Sequence, residues 1–276
     1  GIMCLASFGG SARIATQLAL ELSQRNNAVH LFTRTPPFND ARYARSGFTL
    51  HTVSPIREAN LHPAHLHVHW SADEYWLFLS RLLDCIAVEG LDVLHFHYGV
   101  PFAFLAAEIK QHLGRAAPVL VGTLHGTDVS IQGRDPINGP RLAQALPHLD
   151  CLTTVSTNHA QLATKLFNLP APPRVIPNFI DLSRFRPPPT LSPGKNGKEE
   201  RARPVIAHVS NFRPVKDTPS VARIFLGIRR QMEAELWLIG EGPEMNKVQT
   251  ILRESGFEND VRYWGLQHDV APLLVQ

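Results

Sequence analysis

The chain predicts an α/β fold of two doubly wound parallel sheets, the second of them truncated. Three observations carry this. Short apolar runs alternate with amphipathic stretches of helical length. Several of those runs end in a glycine-bearing or polar turn that leads straight into a helix. The chain has 276 residues, 44% of them hydrophobic. That is enough for about two packed domains of about 100–200 residues each.

The elements follow in order. In the first half, apolar runs predict strands at 1–6, 28–33, 91–96, 118–124, 150–155 and 173–177. Helical patterns fall between most of them, at 12–25, 73–89, 102–113 and 157–168. Such alternation implies a parallel sheet with helices on both faces. The segment 36–70 breaks the rhythm with Pro36 and Pro37, and a strand or two plus excursions is expected there. Residues 187–203, rich in Pro, Lys, Glu and Gly, cannot form a core and read as an exposed linker. A second alternation follows: strand 204–210, helix 217–232, strand 235–240, helix 243–255 and strand 260–264. The expected domains are therefore 1–186 and a partial second one at 204–276. About 73 residues are few for a domain that typically runs to about 100–200. The sequence also opens inside a strand, so a fragment lacking roughly 100 C-terminal residues is expected.

Composition narrows the function. A formal charge of +3, dispersed along the chain, argues against a nucleic-acid or membrane patch. It suits local recognition of an anionic small molecule. No apolar run approaches the roughly 18 residues of a membrane span, and the first residues make no signal peptide. Cys4, Cys85 and Cys151 each lie in or beside an apolar segment. They read as buried free thiols of a cytoplasmic protein. A homo-oligomer is left open.

Three strand-end motifs carry the chemistry. Val205–Val209 runs into Ser210-Asn211-Phe212-Arg213-Pro214-Val215-Lys216, with a helix following from Asp217. Arg213 and Lys216 thus stand at the carboxyl edge of a predicted sheet, where open α/β folds bind ligands. Two cations beside a helix N-terminus make a phosphate site. A solvated loop also suits these residues, and the motif alone leaves both readings open. Val119–Leu124 leads into His125-Gly126-Thr127-Asp128, and Ile2–Ala6 leads into Ser7-Phe8-Gly9-Gly10-Ser11. The glycines let the backbone turn tightly beside an anion.

Taken in order, several strings resemble one family. They are Gly9-Gly10-Ser11, His97-Tyr98-Gly99-Val100-Pro101, Thr123-Leu124-His125-Gly126-Thr127-Asp128, Val155-Ser156, Asn178-Phe179-Ile180-Asp181, Ser210 to Lys216 and Gly240-Glu241-Gly242-Pro243-Glu244. The order is similar to that of the family 4 retaining glycosyltransferases of the GT-B fold. Within them it most resembles the N-acetyl-α-glucosaminyl L-malate synthases of bacillithiol synthesis. The resemblance spans essentially the whole chain and implies two Rossmann-like domains. It implies transfer of N-acetylglucosamine from UDP-GlcNAc to L-malate, a hydroxy dicarboxylate. Another sugar or acceptor, or a non-catalytic module that binds a nucleotide sugar, stays open.

The resemblance also assigns residues. His125, Arg213 and Lys216 are implied as catalytic, with His125 near the transferring sugar. Gly10, Asn211, Arg213, Lys216, Glu241 and Gly242 are implied for the donor. Gly10, Ser11, Tyr98 and Thr123 are expected acceptor contacts. Gly126, Thr127, Asp128, Ser156 and Asn178 line the expected pocket, and Asp128 serves equally well to orient the loop or cap the next helix. Two departures stand out. Ala12 and Arg13 follow Ser11 where the family commonly has a Gly, and Asp217 stands where relatives often carry a second cation. The family's Glu-x7-Glu element is expected past Gln276, so the 276 residues alone are expected to be inactive.

The histidines raise a metal alternative. His65, His67 and His69 alternate, as do His95 and His97, so on strands each set lines one face. No carboxylate or cysteine is placed in sequence to complete a catalytic set. The GT-B chemistry runs on cationic side chains, so neither metal nor cofactor is expected.

Overall fold

The structure is a computed structural model that describes residues 1–7, 9–36, 47–53, 68–186 and 203–274. Phe8, His65, His67, Val275 and nearly all of the expected linker lie outside the described residues. The chain divides into two compact units, Gly1–Phe179 and Ile180–Gln276. Residues 180–186 group with the second unit, in which Arg184 Nη2 reaches Asp269 Oδ1 at 2.6 Å.

The first unit is a seven-stranded, wholly parallel sheet. Its strands are β1 (Ile2–Cys4), β2 (His30–Thr33), β3 (Thr49–Thr52), β4 (Val93–His97), β5 (Val119–Leu124), β6 (Cys151–Thr154) and β7 (Arg174–Val175). Their order is β3-β2-β1-β4-β5-β6-β7. The order reverses between β1 and β4, and ligands bind in such folds at the carboxyl ends beside that switch point. Its helices are α1 (Gly10–Gln24), α2 (Ala72–Glu89), α3 (Gly99–Leu113), α4 (Thr127–Ser130), α5 (Asn138–Ala145) and α6 (Thr157–Phe167). Helices α4 and α5 are not among the helical patterns of the sequence. Both are short, and apolar periodicity is weak over so few turns.

Strand alternation explains the two faces. Met3, Leu5, Phe32, Leu94, Phe96 and Leu120 turn one way and pack under α2, α3, α5 and α6. Ile2, Cys4 and Leu31 turn the other way and meet Ala15 and Ala19 of α1. Fully burying one such large side chain is worth about 1.5–3 kcal/mol. Helix α2 is well punctuated: Ser71 and Glu74 form a capping box, and Gly90 closes it in the left-handed region. One cysteine departs from expectation. Cys4 and Cys85 are buried, but Cys151 is exposed. It opens β6, and its neighbour Leu152 is the residue that packs on the core.

The second unit holds a three-stranded parallel sheet of order β10-β9-β8. It comprises β8 (Val205–Val209), α7 (Thr218–Arg229), β9 (Glu235–Ile239), α8 (Met245–Glu254), β10 (Val261–Gly265) and α9 (Ala271–Leu274). Phe212, Ala222, Phe225, Leu236, Leu238, Val248 and Leu252 form its core. Arg203 and Arg229 converge on Asp260 at 2.5 and 2.7 Å and tie the strand ends to α7. Among the described residues, no helix is long and apolar enough to cross a membrane.

Candidate active site

At the carboxyl ends of β4 and β5 the chain builds a buried polar network. Register places His95 beside Val121 and His97 beside Thr123, so both histidines share one face with the Thr123 side chain. His97 Nδ1 faces His125 Nε2 at 3.0 Å, and His95 Nε2 faces Thr123 Oγ1 at 2.7 Å. Thr123 Oγ1 also meets Thr153 Oγ1 at 2.7 Å. The expected acceptor contact Thr123 therefore already has two protein partners for its hydroxyl. Tyr98 is 2% exposed, and its hydroxyl meets Thr127 Oγ1 at 3.0 Å.

Asp128 fixes the loop. It is 0% exposed. Its carboxylate accepts from the backbone N–H groups of His125, Gly126, Gly99 and Val129 at 2.7–3.1 Å. Burial pushes its pKa up, while those backbone donors pull it down. One carboxylate thus joins the loop after β5 to the start of α3. Gly126 has φ +134, a conformation open to glycine alone at little cost. The His159 ring lies against it, 3.3 Å from where a Cβ would stand. His159 Nδ1 in turn meets Ser156 Oγ at 2.8 Å, and that hydroxyl caps α6. Among the expected pocket residues, Ser156 is therefore held as a helix cap. Asn178 lies beyond β7 and is exposed.

The histidines are neutral at physiological pH. Burial, then the neighbouring His95, lowers the His125 pKa to about 4. His95 falls to about 4, chiefly by burial. His97 goes well below 6.5 through burial and its two histidine neighbours. Hydrogen-bond accounting then assigns the tautomers. His97 Nε2 is buried and has no partner among the described residues. An orphaned N–H is the rarer and costlier state, so the His97 proton sits on Nδ1 and is donated to His125 Nε2. His125 then carries its own proton on Nδ1, as a donor.

These shifts predict acid lability. The unfolded chain takes up histidine protons from about pH 6.5 down, and the folded chain takes them only near pH 4. Folded pKa values below the unfolded ones mean stability that is full above pH 6.5 and lost as pH falls toward 4. By pH 5 the loss is about 2 kcal/mol for each histidine acting alone. Urea denaturation at pH 7.5 and pH 5 measures it, and an unchanged midpoint would refute the assignment.

Beside β4, the end of β1 leads into α1. Cys4 pairs with His97, which brings the Gly9-Gly10-Ser11 turn to the same edge. The cap residue Gly9 has no side chain, and no acidic residue stands in the first turn of α1. Among the described residues no side chain caps the first N–H groups of the helix, which is the arrangement an anion can use. Ser11 is 7% exposed. A Cβ at Gly10 would meet nothing within 4 Å, so packing is not what requires that glycine.

The second unit carries the other predicted residues. Ser210 Oγ accepts from Phe212 N at 3.1 Å and shapes the turn after β8. Phe212 and Asp217 hold left-handed φ values of 41° and 44°, strained for non-glycine residues. Full burial of the Phe212 ring holds the first in place. Between them stand Arg213 and exposed Lys216. Among the described residues neither cation has a carboxylate within ion-pair distance, unlike Arg184, Arg203, Arg229 and Arg262. The turn after β9 is locked to this one. Glu244 N donates to Phe212 O at 2.9 Å, and a Cβ at Gly242 would stand 1.9 Å from Asn211 O. Gly242 is thus required by close backbone approach, while Glu241 is exposed.

Comparison with known proteins agrees with this architecture. The Glycosyltransferase Family 4 profile matches residues 8–184. The chain is 30% identical over 276 residues to the N-acetyl-alpha-D-glucosaminyl L-malate synthase of Bacillus anthracis, covering 99% of this chain and 69% of that one. The chain belongs to glycosyltransferase family 4. A GDP-mannose-dependent phosphatidylinositol monomannoside mannosyltransferase of Mycobacterium tuberculosis is 25% identical over 187 residues, 67% of this chain and 48% of its own. In fold the chain is similar to Anabaena HepE, solved with UDP and glucose, at a TM-score of 0.71 and 14% identity. That match covers 99% of this chain and 71% of HepE. The lipopolysaccharide glycosyltransferase WaaG gives a TM-score of 0.59 at 14% identity, over 99% and 72% of the two chains. The fold is thus that of the GT-B glycosyltransferases, and the protein is a glycosyltransferase.

The resemblance assigns a role to His125 and none to its partners. His97 and His159 both touch the His125-Gly126 turn. The signals available for His97 are its place at a strand end two residues after another histidine and its position in the His97-Tyr98-Gly99-Val100-Pro101 string, and neither points to His125 as its partner.

Proposed function

We propose that this glycosyltransferase moves N-acetylglucosamine from UDP-GlcNAc to L-malate with retention of configuration. The observation that carries the reading is the 30% identity to the malate synthase along 99% of the chain. The chemistry of the residues supports it. As the anomeric bond breaks, the UDP diphosphate gains negative charge. Arg213 forks onto its oxygens, and Lys216 adds a compact charge. Asn211, Glu241 and Gly242 complete the donor side. Neutral His125 donates from Nδ1 to the transferring sugar, held by His97 behind it and by Asp128 beneath it. Malate presents two carboxylates. The N–H groups of α1 at Gly10 and Ser11 take one, with Tyr98 and Thr123 supporting that wall. In this reading the cationic pair meets the developing charge, and turnover needs no divalent metal.

The test is a donor and acceptor screen on the intact protein, with product mass and anomeric configuration read out. GlcNAc-malate formed in the presence of EDTA is the expected product. Transfer from GDP-mannose, or to an acceptor without carboxylates, would replace the substrates. Collapse in EDTA with rescue by Mg²⁺ would overturn the charge argument.

A further inference from the structure

We infer that His30, His51 and Cys85 form a binding site for a zinc-class divalent cation, distinct from the transferase residues. His30 opens β2, at the amino end of the sheet and away from the carboxyl edge. Register pairs His30 with Thr49 and Phe32 with His51. Alternation therefore puts His30 and His51 on the same face of neighbouring strands, one step apart on the diagonal. Cys85 comes down onto that face from α2.

The three ligand atoms converge. His30 Nδ1 lies 2.9 Å from His51 Nε2 and 3.4 Å from Cys85 Sγ, and all three lie within 4.8 Å of one another. His30 and Cys85 are buried, and His51 is half-buried. The His51 ring is clamped on Phe32, with centroids 4.5 Å apart, so its direction is set before any ion arrives. Hydrogen bonding does not account for this meeting in full. A neutral ring nitrogen offers one proton or one lone pair, yet His30 Nδ1 faces two partners. A cation at the centre takes one lone pair from each of the three atoms. Ligand atoms around tetrahedral zinc lie about 3.3–3.6 Å apart, for bonds of about 2.0–2.3 Å. The two spacings from His30 reach that with shifts of about half an ångström or less, and the His51–Cys85 pair, within 4.8 Å, closes around the ion.

Two imidazoles and a thiolate suit zinc or cobalt(II) and disfavour magnesium or calcium. Binding expels the Cys85 thiol proton to solvent. Glu89 and Arg81 stand one helical turn either side of Cys85 on α2. Both act electrostatically on His51, with opposite signs. A water fills the fourth position. The ion would tie the edge strand β3 to β2 and α2, which is a stabilising role and not a catalytic one.

Cobalt(II) titration of the tag-free protein tests this. One equivalent should bind with a sulfur-to-cobalt charge-transfer band in the near ultraviolet. The band should vanish in Cys85→Ser and persist in Cys151→Ser. His51→Gln leaves the core intact and should weaken cobalt binding at least about tenfold. Zinc should raise the melting temperature of the parent protein and leave both ligand variants unmoved. The site is refuted by absence of the band in the parent protein, by its survival in Cys85→Ser, or by undiminished binding in His51→Gln. Cobalt bound without a sulfur band would belong to other histidines and equally refutes it.

Discussion

Replacing Arg213 by alanine should slow sugar transfer about 10²–10³-fold, the usual loss when one preorganised donor to developing charge is removed. The reason is local. Arg213 sits between two left-handed residues, Phe212 and Asp217, on a turn anchored by a fully buried ring. Its guanidinium has no carboxylate partner among the described residues, so its charge is available to a ligand. Lys216→Ala should act in the same direction. Loss of one charge-assisted hydrogen bond to the diphosphate costs about 1.5–3 kcal/mol in binding. Arg213→Lys should recover only part of the loss, because it keeps the charge and forfeits the fork. Steady-state kinetics and calorimetric UDP binding on the intact protein decide the matter. UDP affinity equal to the parent's in both alanine variants would remove these residues from the donor site.

Asp128→Ala should destabilise the first unit by about 3–5 kcal/mol, because several backbone donors lose their acceptor at about 1–3 kcal/mol each where buried. Four backbone N–H groups end on that carboxylate, from two separate loops. Removing it takes the carboxylate partner from Gly99, His125 and Gly126, while Val129 N keeps Gly126 O at 3.0 Å, and buried N–H groups left without a partner are costly. Asp128→Asn should recover little, because its amide offers one acceptor oxygen and turns an NH₂ toward donors. Denaturant titration measures the effect. A change below about 1 kcal/mol would mean that water or backbone movement replaces the carboxylate. In the proposed mechanism both variants also loosen His125, so transfer should fall even at temperatures where the fold survives.

Much of this molecule is legible before any coordinates. Strands β1, β2, β4, β5, β6 and β7 are legible because their residues form contiguous apolar runs, whereas β3, Thr49-Leu50-His51-Thr52, is too polar to stand out within 36–70. The turns holding His125 and Arg213 were found because an apolar run meets glycine, a charge and then a helix within a few residues. Those signals are local, and local chemistry sets them. The short helices α4 and α5 escaped for the complementary reason, since one or two turns contain too few residues to show a period.

What the sequence by itself determined is therefore the order of the longer elements, the two parallel sheets and the residues that stand at their carboxyl ends. Tertiary structure alone decided what those residues touch. His97 holds His125 because β4 and β5 pair in one register, which puts residues 28 apart within 3.0 Å. Asp128 became a backbone clamp because α3 begins beside the loop after β5. Thr123 was taken up by His95 and Thr153, and Cys151 was left exposed by the start of its strand. His30, His51 and Cys85 converge across 55 residues of chain. Side-chain pairs of this kind depend on strand order, register and the direction of each Cβ, and periodicity along one chain carries none of these.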